Sequence, residues 1–165
     1  MTAKDIQTLY EFNYWAKDRI LGVVEKLTPE QFTKDLKSSH GGIHGTLAHT
    51  LGAEDIWLKR WTGVPITGFL KPADVPTFAD LQNKWKTVAT EILNFCGTLK
   101  SDNDIQKIIV YKDLKGNEYR QPLYQLMQHI VNHSSYHRGQ VVTMLRQFGV
   151  LPFGTDMVGF FREKN

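Results

Sequence analysis

The sequence predicts an all-α protein: a four-helix bundle with a short extra helix and a small β-hairpin ahead of the last helix. Three observations carry this reading. Apolar side chains return every three or four residues over four long stretches, the spacing of one buried helix face. Thr, Pro and Gly punctuation separates the stretches, in positions that cap and stop helices. One β-branched and aromatic run, residues 108–111, breaks the helical pattern.

Over residues 6–27, Ile6, Leu9, Tyr10, Ile20, Val23, Val24 and Leu27 trace the first helix. Thr28-Pro29-Glu30-Gln31 stops it and offers an N-cap, a proline at the first helical position and a glutamine at the third, so a short extra turn is expected over residues 30–36. Ser38-Ser39-His40-Gly41-Gly42 reads as a loop. The second helix, residues 44–61, carries Leu47, Leu51, Trp57, Leu58 and Trp61, and Thr62-Gly63 with Pro65 ends it. A linker punctuated by Pro72 and Pro76 leads to Thr77, which with Asp80 forms a capping box and opens a third helix to about residue 99. Ile108-Ile109-Val110-Tyr111 and the Lys115-Gly116-Asn117 turn then predict the hairpin. From Pro122 the helical period returns through Leu126, Ile130, Val131, Val141, Leu145 and Phe148, with Gly149 as the C-terminal cap. Gly139 lies inside this fourth helix, where glycine costs about 1 kcal/mol relative to alanine, and reads as a point of close approach by a neighbouring helix. The apolar, glycine-rich tail, residues 150–162, is expected to pack back on the body.

Composition narrows the function classes. The 165 residues are 41% hydrophobic and 22% charged, a globular balance, and one domain over residues 1–165 is expected. No apolar run approaches the roughly 20 residues of a membrane span, and Met1-Thr2-Ala3-Lys4-Asp5 opens no signal-type apolar segment, so a cytoplasmic protein is expected. The single cysteine, Cys96, has no partner for an internal disulfide and builds no Cys-based metal site. It has no basic neighbour to activate it, and a buried, inert thiol is the expectation. A net charge of +3, with no blocks of Lys or Arg, argues against nucleic acid or membrane as partners.

The informative residues are histidines. His133 and His137 stand four apart on the fourth helix, about 40° apart around its axis, so both imidazoles can point at one place. His129 extends the stripe one turn earlier, as a third ligand or a residue behind the ligands. A metal site needs a further ligand from another helix. His49 is the best candidate, because its own helix face carries small or apolar neighbours, Thr46, Ala53 and Ile56. No glutamate follows His133, which excludes the His-Glu-x-x-His zinc-protease motif, and no histidine has a glutamate three residues before it, which disfavours a di-iron bundle. A three-histidine centre with open coordination positions remains, the arrangement of a catalytic divalent ion. His40 and His44 read as a loop residue and a rim contact.

Asn132-His133-Ser134-Ser135-Tyr136-His137-Arg138-Gly139-Gln140-Val141, followed by Leu145-Arg146-Gln147-Phe148-Gly149-Val150, closely resembles the last helix of the DinB family of damage-inducible bundle proteins. Asn13-Tyr14-Trp15-Ala16 resembles that family's first helix, and His44-Gly45-Thr46-Leu47-Ala48-His49 with Asp55-Ile56-Trp57-Leu58 its second. The segment from Tyr111 to Arg120 resembles the stretch before the last helix. The resemblance implies an up-down-down-up bundle, usually a homodimer, with one divalent ion (zinc, nickel, iron or manganese) on His49, His133 and His137. It also implies a stress-response setting and a small-molecule substrate. Relatives include transferases and isomerases that use a low-molecular-weight thiol, so a thiol transferase acting on small electrophiles is the leading expectation. A metal-dependent hydrolase, or a non-catalytic dimeric binding protein with a structural metal, are the alternatives. Tyr136 stands where the family often has another histidine, and Gly42 where serine is common before the second helix. Arg138 is a candidate for an anionic substrate group and Gln140 for orienting a ligand, beside the plainer expectation that both make interhelical hydrogen bonds. Trp15, Trp57, Trp61 and Trp85 are expected to be mainly core.

Overall fold

A capping box starts the first helix earlier than periodicity alone predicts. In the computed structural model, which describes residues 1–113 and 115–164, the Thr2 hydroxyl accepts from the Asp5 amide at 3.1 Å and the Asp5 carboxylate accepts from the Thr2 amide at 2.8 Å. Helix α1 therefore spans Ala3–Val24. It ends before Leu27 because the amides of Lys26 and Leu27 tighten onto the carbonyls of Val23 and Val24. The reciprocal Thr28 and Gln31 bonds then open α2, Pro29–Thr33. Helix α3, Ile43–Thr62, ends on the left-handed Gly63, and α4, Phe78–Thr98, starts at the predicted Thr77–Asp80 box.

Three short elements were not expected from periodicity. A 3-10 turn, Pro72–Asp74, interrupts the linker, held by the Lys71 amide on the Asp74 carboxylate at 2.8 Å. Helix α5, Asp102–Gln106, starts where the Ser101 amide donates to Asp104 at 2.8 Å. Helix α7, Met157–Lys164, is the form in which the tail packs back: Phe160 is buried between Phe12 and Trp15, at ring separations of 5.9 and 5.8 Å. Strands β1, Ile108–Lys112, and β2, Glu118–Pro122, pair antiparallel with Val110 opposite Arg120, as the hairpin expectation required. The last long helix, α6, spans Leu123–Gln147 and is followed by Gly149 at a positive φ.

Helices α1 and α3 each pack against both α4 and α6, which makes these four the bundle. The core between them is apolar, with Tyr10, Ile20, Leu51, Leu81, Ile92, Met127, Ile130 and Leu145 fully buried. Buried polar and charged side chains interrupt it. Glu54 on α3 is 1% exposed, and its carboxylate accepts from Asn13 at 3.0 Å, Tyr14 at 3.2 Å, Trp85 at 2.8 Å and Ser134 at 3.1 Å. Those donors stand on α1, α4 and α6, so one side chain ties α3 to the three others. Arg138 joins from α6, its Nη1 donating to the Asn13 side-chain oxygen at 2.7 Å. Burial raises the Glu54 carboxyl above its ordinary range, and the four donors pull against that rise.

Gly139 departs from its expectation. It is exposed, and an added Cβ would meet nothing within 4 Å, so no neighbouring helix requires a glycine there.

Candidate metal centre

His49 sits in the second turn of α3, and His133 and His137 sit at mid-length in α6, the helix packed against it. That pairing brings the three rings together. Nε2 of His133 lies 3.1 Å from Nε2 of His49 and 3.1 Å from Nε2 of His137. Metal–nitrogen bonds of about 2.0–2.1 Å at tetrahedral angles put ligand nitrogens roughly 3.3 Å apart, so the spacing fits a common ion. The same distances suit N–H···N hydrogen bonds, and Nδ1 of His133 is buried without a partner among the described residues.

Protonation favours the same conclusion. Burial, and then the neighbouring rings, depress His133 to about 3 and His49 to about 4. Both are neutral near pH 7, with lone pairs free for a cation. Gln140 fixes the third ring: its Oε1 is 2.7 Å from Nδ1 of His137, so the proton resides on Nδ1 and the Nε2 lone pair faces the other histidines.

His40 was read as a loop or rim residue, and the structure places it against this site. Its ring stacks on His49 with centroids 3.9 Å apart and planes 15° apart, and lies 5.3 Å from the His137 ring. One ring nitrogen of each of His40, His49 and His137 falls within 4.8 Å of the others. Two glycines make this possible. A Cβ on Gly42 would collide with the Lys34 carbonyl, and one on Gly45 with the His40 carbonyl, so only glycine lets the loop fold down on the start of α3. The sequence signal was His-Gly-Gly-x-x-Gly, glycines that demand a close approach without naming its partner.

The remaining candidates lie elsewhere. His129 is exposed, its ring centroid 5.5 Å from Trp57 and 6.0 Å from His133, and does not join the convergence. His44 packs on Phe32 and places Nε2 2.8 Å from the Val75 carbonyl, a structural contact. Tyr136 is 65% exposed and sets its ring edge-on to His137 at 5.0 Å. Arg138 is buried and donates to Asn13 of α1, the interhelical alternative, and to Ser135 of its own helix. Cys96 is buried and pushed up to about 12 by that burial. Trp61 and Trp85 are core, whereas Trp57 lines a cavity.

That cavity, of about 390 Å³, opens beside His49 and His133. Ala53, Ile56 and Trp57 of α3 form one wall and the linker residues Phe69 and Leu70 another, with Arg60 also in the lining. Its size falls within the range of small-molecule sites. Arg60 was not singled out in the sequence, where nothing distinguishes it from Lys59 beside it.

A model of the DinB family matches residues 1–164. Protein DinB of Bacillus subtilis (strain 168) is 23% identical over 155 residues, covering 90% of this chain and 88% of its own length. The uncharacterized protein YizA of the same strain is 23% identical over 150 residues, covering 91% and 92%. Among solved structures, a DinB-like protein from Bacillus cereus ATCC 10987 superposes with a TM-score of 0.62 at 20% identity, covering 86% of this chain and 91% of that one.

Proposed function

This chain belongs to the DinB family, and from that premise we propose that it is a metal-dependent enzyme: His49, His133 and His137 hold one divalent ion, and a low-molecular-weight thiol is transferred to a small electrophile beside it. The observation that carries the reading is that Nε2 of His133 lies 3.1 Å from Nε2 of both His49 and His137. Three imidazoles accept zinc, nickel, iron or manganese. Such an ion, when bound, acidifies a thiol or water held against it. The chain's own residues do the positioning. Gln140 aims His137, and burial keeps His49 and His133 unprotonated. The cavity beside them offers an electrophile a mainly apolar wall. In the transfer, the thiol gives up its proton, its sulfur forms a bond to the electrophilic carbon, and the leaving group departs with the electron pair.

Hydrolysis at the same site is the nearest alternative, told apart by water instead of thiol in the product. His40 favours a second reading from a different class. A fourth imidazole beside the other three suits a closed, structural ion in a non-catalytic binding protein, because structural sites have four protein ligands. The experiment that separates them assays thiol consumption with a panel of small electrophiles, using metal-loaded, metal-stripped and His137→Ala protein. Turnover only in the loaded wild type supports the transferase. A melting temperature that falls on stripping, with no turnover in any sample, supports the structural ion. The homodimer belongs to this proposal and is checked by sedimentation equilibrium against the chain mass of 19.0 kDa.

A further inference from the structure

We infer that the cavity beside the histidines binds an elongated small molecule with an apolar body and a carboxylate end, the carboxylate pairing with Arg60 and the other end facing His49 and His133. The inference rests on the preceding reading for what happens at the histidine end, and it adds the class of molecule and the residue that selects it.

The first argument is charge. Lys59 pairs with Asp55 at 2.6 Å, but Arg60, next to it, makes no ion pair among the described residues. Its protein contacts are one hydrogen bond, from Nη2 to the Lys112 carbonyl at 2.9 Å, and the faces of two rings. The guanidinium carbon lies 4.5 Å from the Trp57 centroid and 5.1 Å from that of Tyr111. Both rings lie to one side of the guanidinium, since their own centroids are 4.9 Å apart, and its Nε is buried without a partner among the described residues, a donor that a bound acceptor would satisfy. Partial burial pulls Arg60 below its ordinary value, a sign that its charge is under-solvated. Asp113 favours the charge without forming an ion pair, and a bound anion offsets the remaining cost of the partly desolvated cation.

The second argument is shape. Arg60 lies eleven residues after His49 on α3, roughly 16 Å along the axis at 1.5 Å per residue. The side chains of His49 and Arg60 both lean toward the N-terminus, and eleven residues return to nearly the same helix face, so both line the cavity. Ile56, Trp57, Phe69 and Leu70 give the intervening wall an apolar surface. Gly52 lets the linker seat closely, since a Cβ there would stand 3.2 Å from that of Leu70. A short anion such as acetate cannot span this cavity, and a wholly apolar ligand leaves Arg60 unpaired. One planar guanidinium with no second cation in the lining matches a monovalent, planar carboxylate better than a phosphate dianion.

Calorimetric titration of metal-free protein with a series of straight-chain alkanoates, octanoate as reference, and with octanamide, reads the Arg60 end alone. Octanoate is expected to bind at least about tenfold more tightly than octanamide or acetate, as a charge-assisted hydrogen bond implies. Arg60→Gln is expected to erase the preference and Arg60→Lys to restore part of it, with thermal melts confirming that both variants fold. Undetectable octanoate binding, equal affinity for the acid and the amide, or an Arg60→Gln variant that binds octanoate like the wild type would each overturn the inference. Repeating the titration with 8-mercaptooctanoate on zinc-loaded wild type and His137→Ala protein reads the histidine end separately. A carboxylate preference without any gain from the thiol upholds the Arg60 inference while counting against the thiol-transferase reading.

Discussion

Gln140 and His137 show how one hydrogen bond decides what a ring can do. With the Nδ1 proton held by Gln140 at 2.7 Å, Nε2 of His137 has its lone pair aimed at His133. Gln140→Ala is expected to weaken zinc affinity by about tenfold to a hundredfold, measured by chelator competition, without removing a ligand. Unchanged affinity would mean that packing alone orients the ring. Cys96 makes the opposite case, a reactive side chain silenced by its surroundings. Buried, and with its thiol at about 12, it is expected to resist iodoacetamide in native protein at pH 8 and to react once the chain is unfolded in guanidinium. Rapid native labelling would show that the helix around it opens readily. At this scale the sequence was legible where chemistry is local. His133 and His137 share a helix face by arithmetic, whereas His40 approaches through a loop, which has no period to count. Nothing in the sequence tells a guanidinium bonded to Asn13 and Ser135, as Arg138 is, from one lining a cavity, as Arg60 does.

Helices were read correctly where they announce themselves by length and caps. The Thr28–Gln31 and Thr77–Asp80 boxes sit where they were expected. Helices α5 and α7 are short, and a pattern needs several turns before a periodic stripe is distinguishable from chance. Glu54 was passed over for a related reason: a lone acid on a helix reads as solvent-facing, and its four donors lie far away in sequence. Those donors account for the Asn13-Tyr14 motif in α1, which serves the bundle's interior and not the metal centre. Glu54→Ala is expected to cost about 3–5 kcal/mol in denaturant unfolding, because Asn13, Tyr14, Trp85 and Ser134 all lose a buried acceptor. A loss below 1 kcal/mol would show that water replaces the carboxylate. Gly45→Ala tests the loop. Its new Cβ meets the His40 carbonyl, so the loop must lift, with an expected loss of about 1–3 kcal/mol and a changed environment at His40 by NMR. A variant as stable as the wild type, with its His40 resonances unmoved, would show that the loop does not depend on that approach.

At the scale of the whole molecule, the bundle does two separate things with the same four helices. Its interior is fastened by Glu54, while the facing surfaces of α3 and α6 gather histidines beside a cavity of about 390 Å³. No helix among the described residues is long and apolar enough to cross a membrane. The all-α class and the hairpin were legible because binary patterning and turn chemistry act along the chain. The cavity was not, since it exists only where the linker residues Phe69 and Leu70 settle against α3. The claim that unites these scales is that His49, His133 and His137 bind one ion, and elemental analysis tests it most directly. Protein is purified without a histidine tag or nickel resin, beside His49→Ala and His137→Ala variants shown to fold by thermal melts. About one divalent ion per chain in the wild type, lost from both variants, is the expected result. A wild type that holds none after loading, or variants that hold as much as the wild type, would contradict the account.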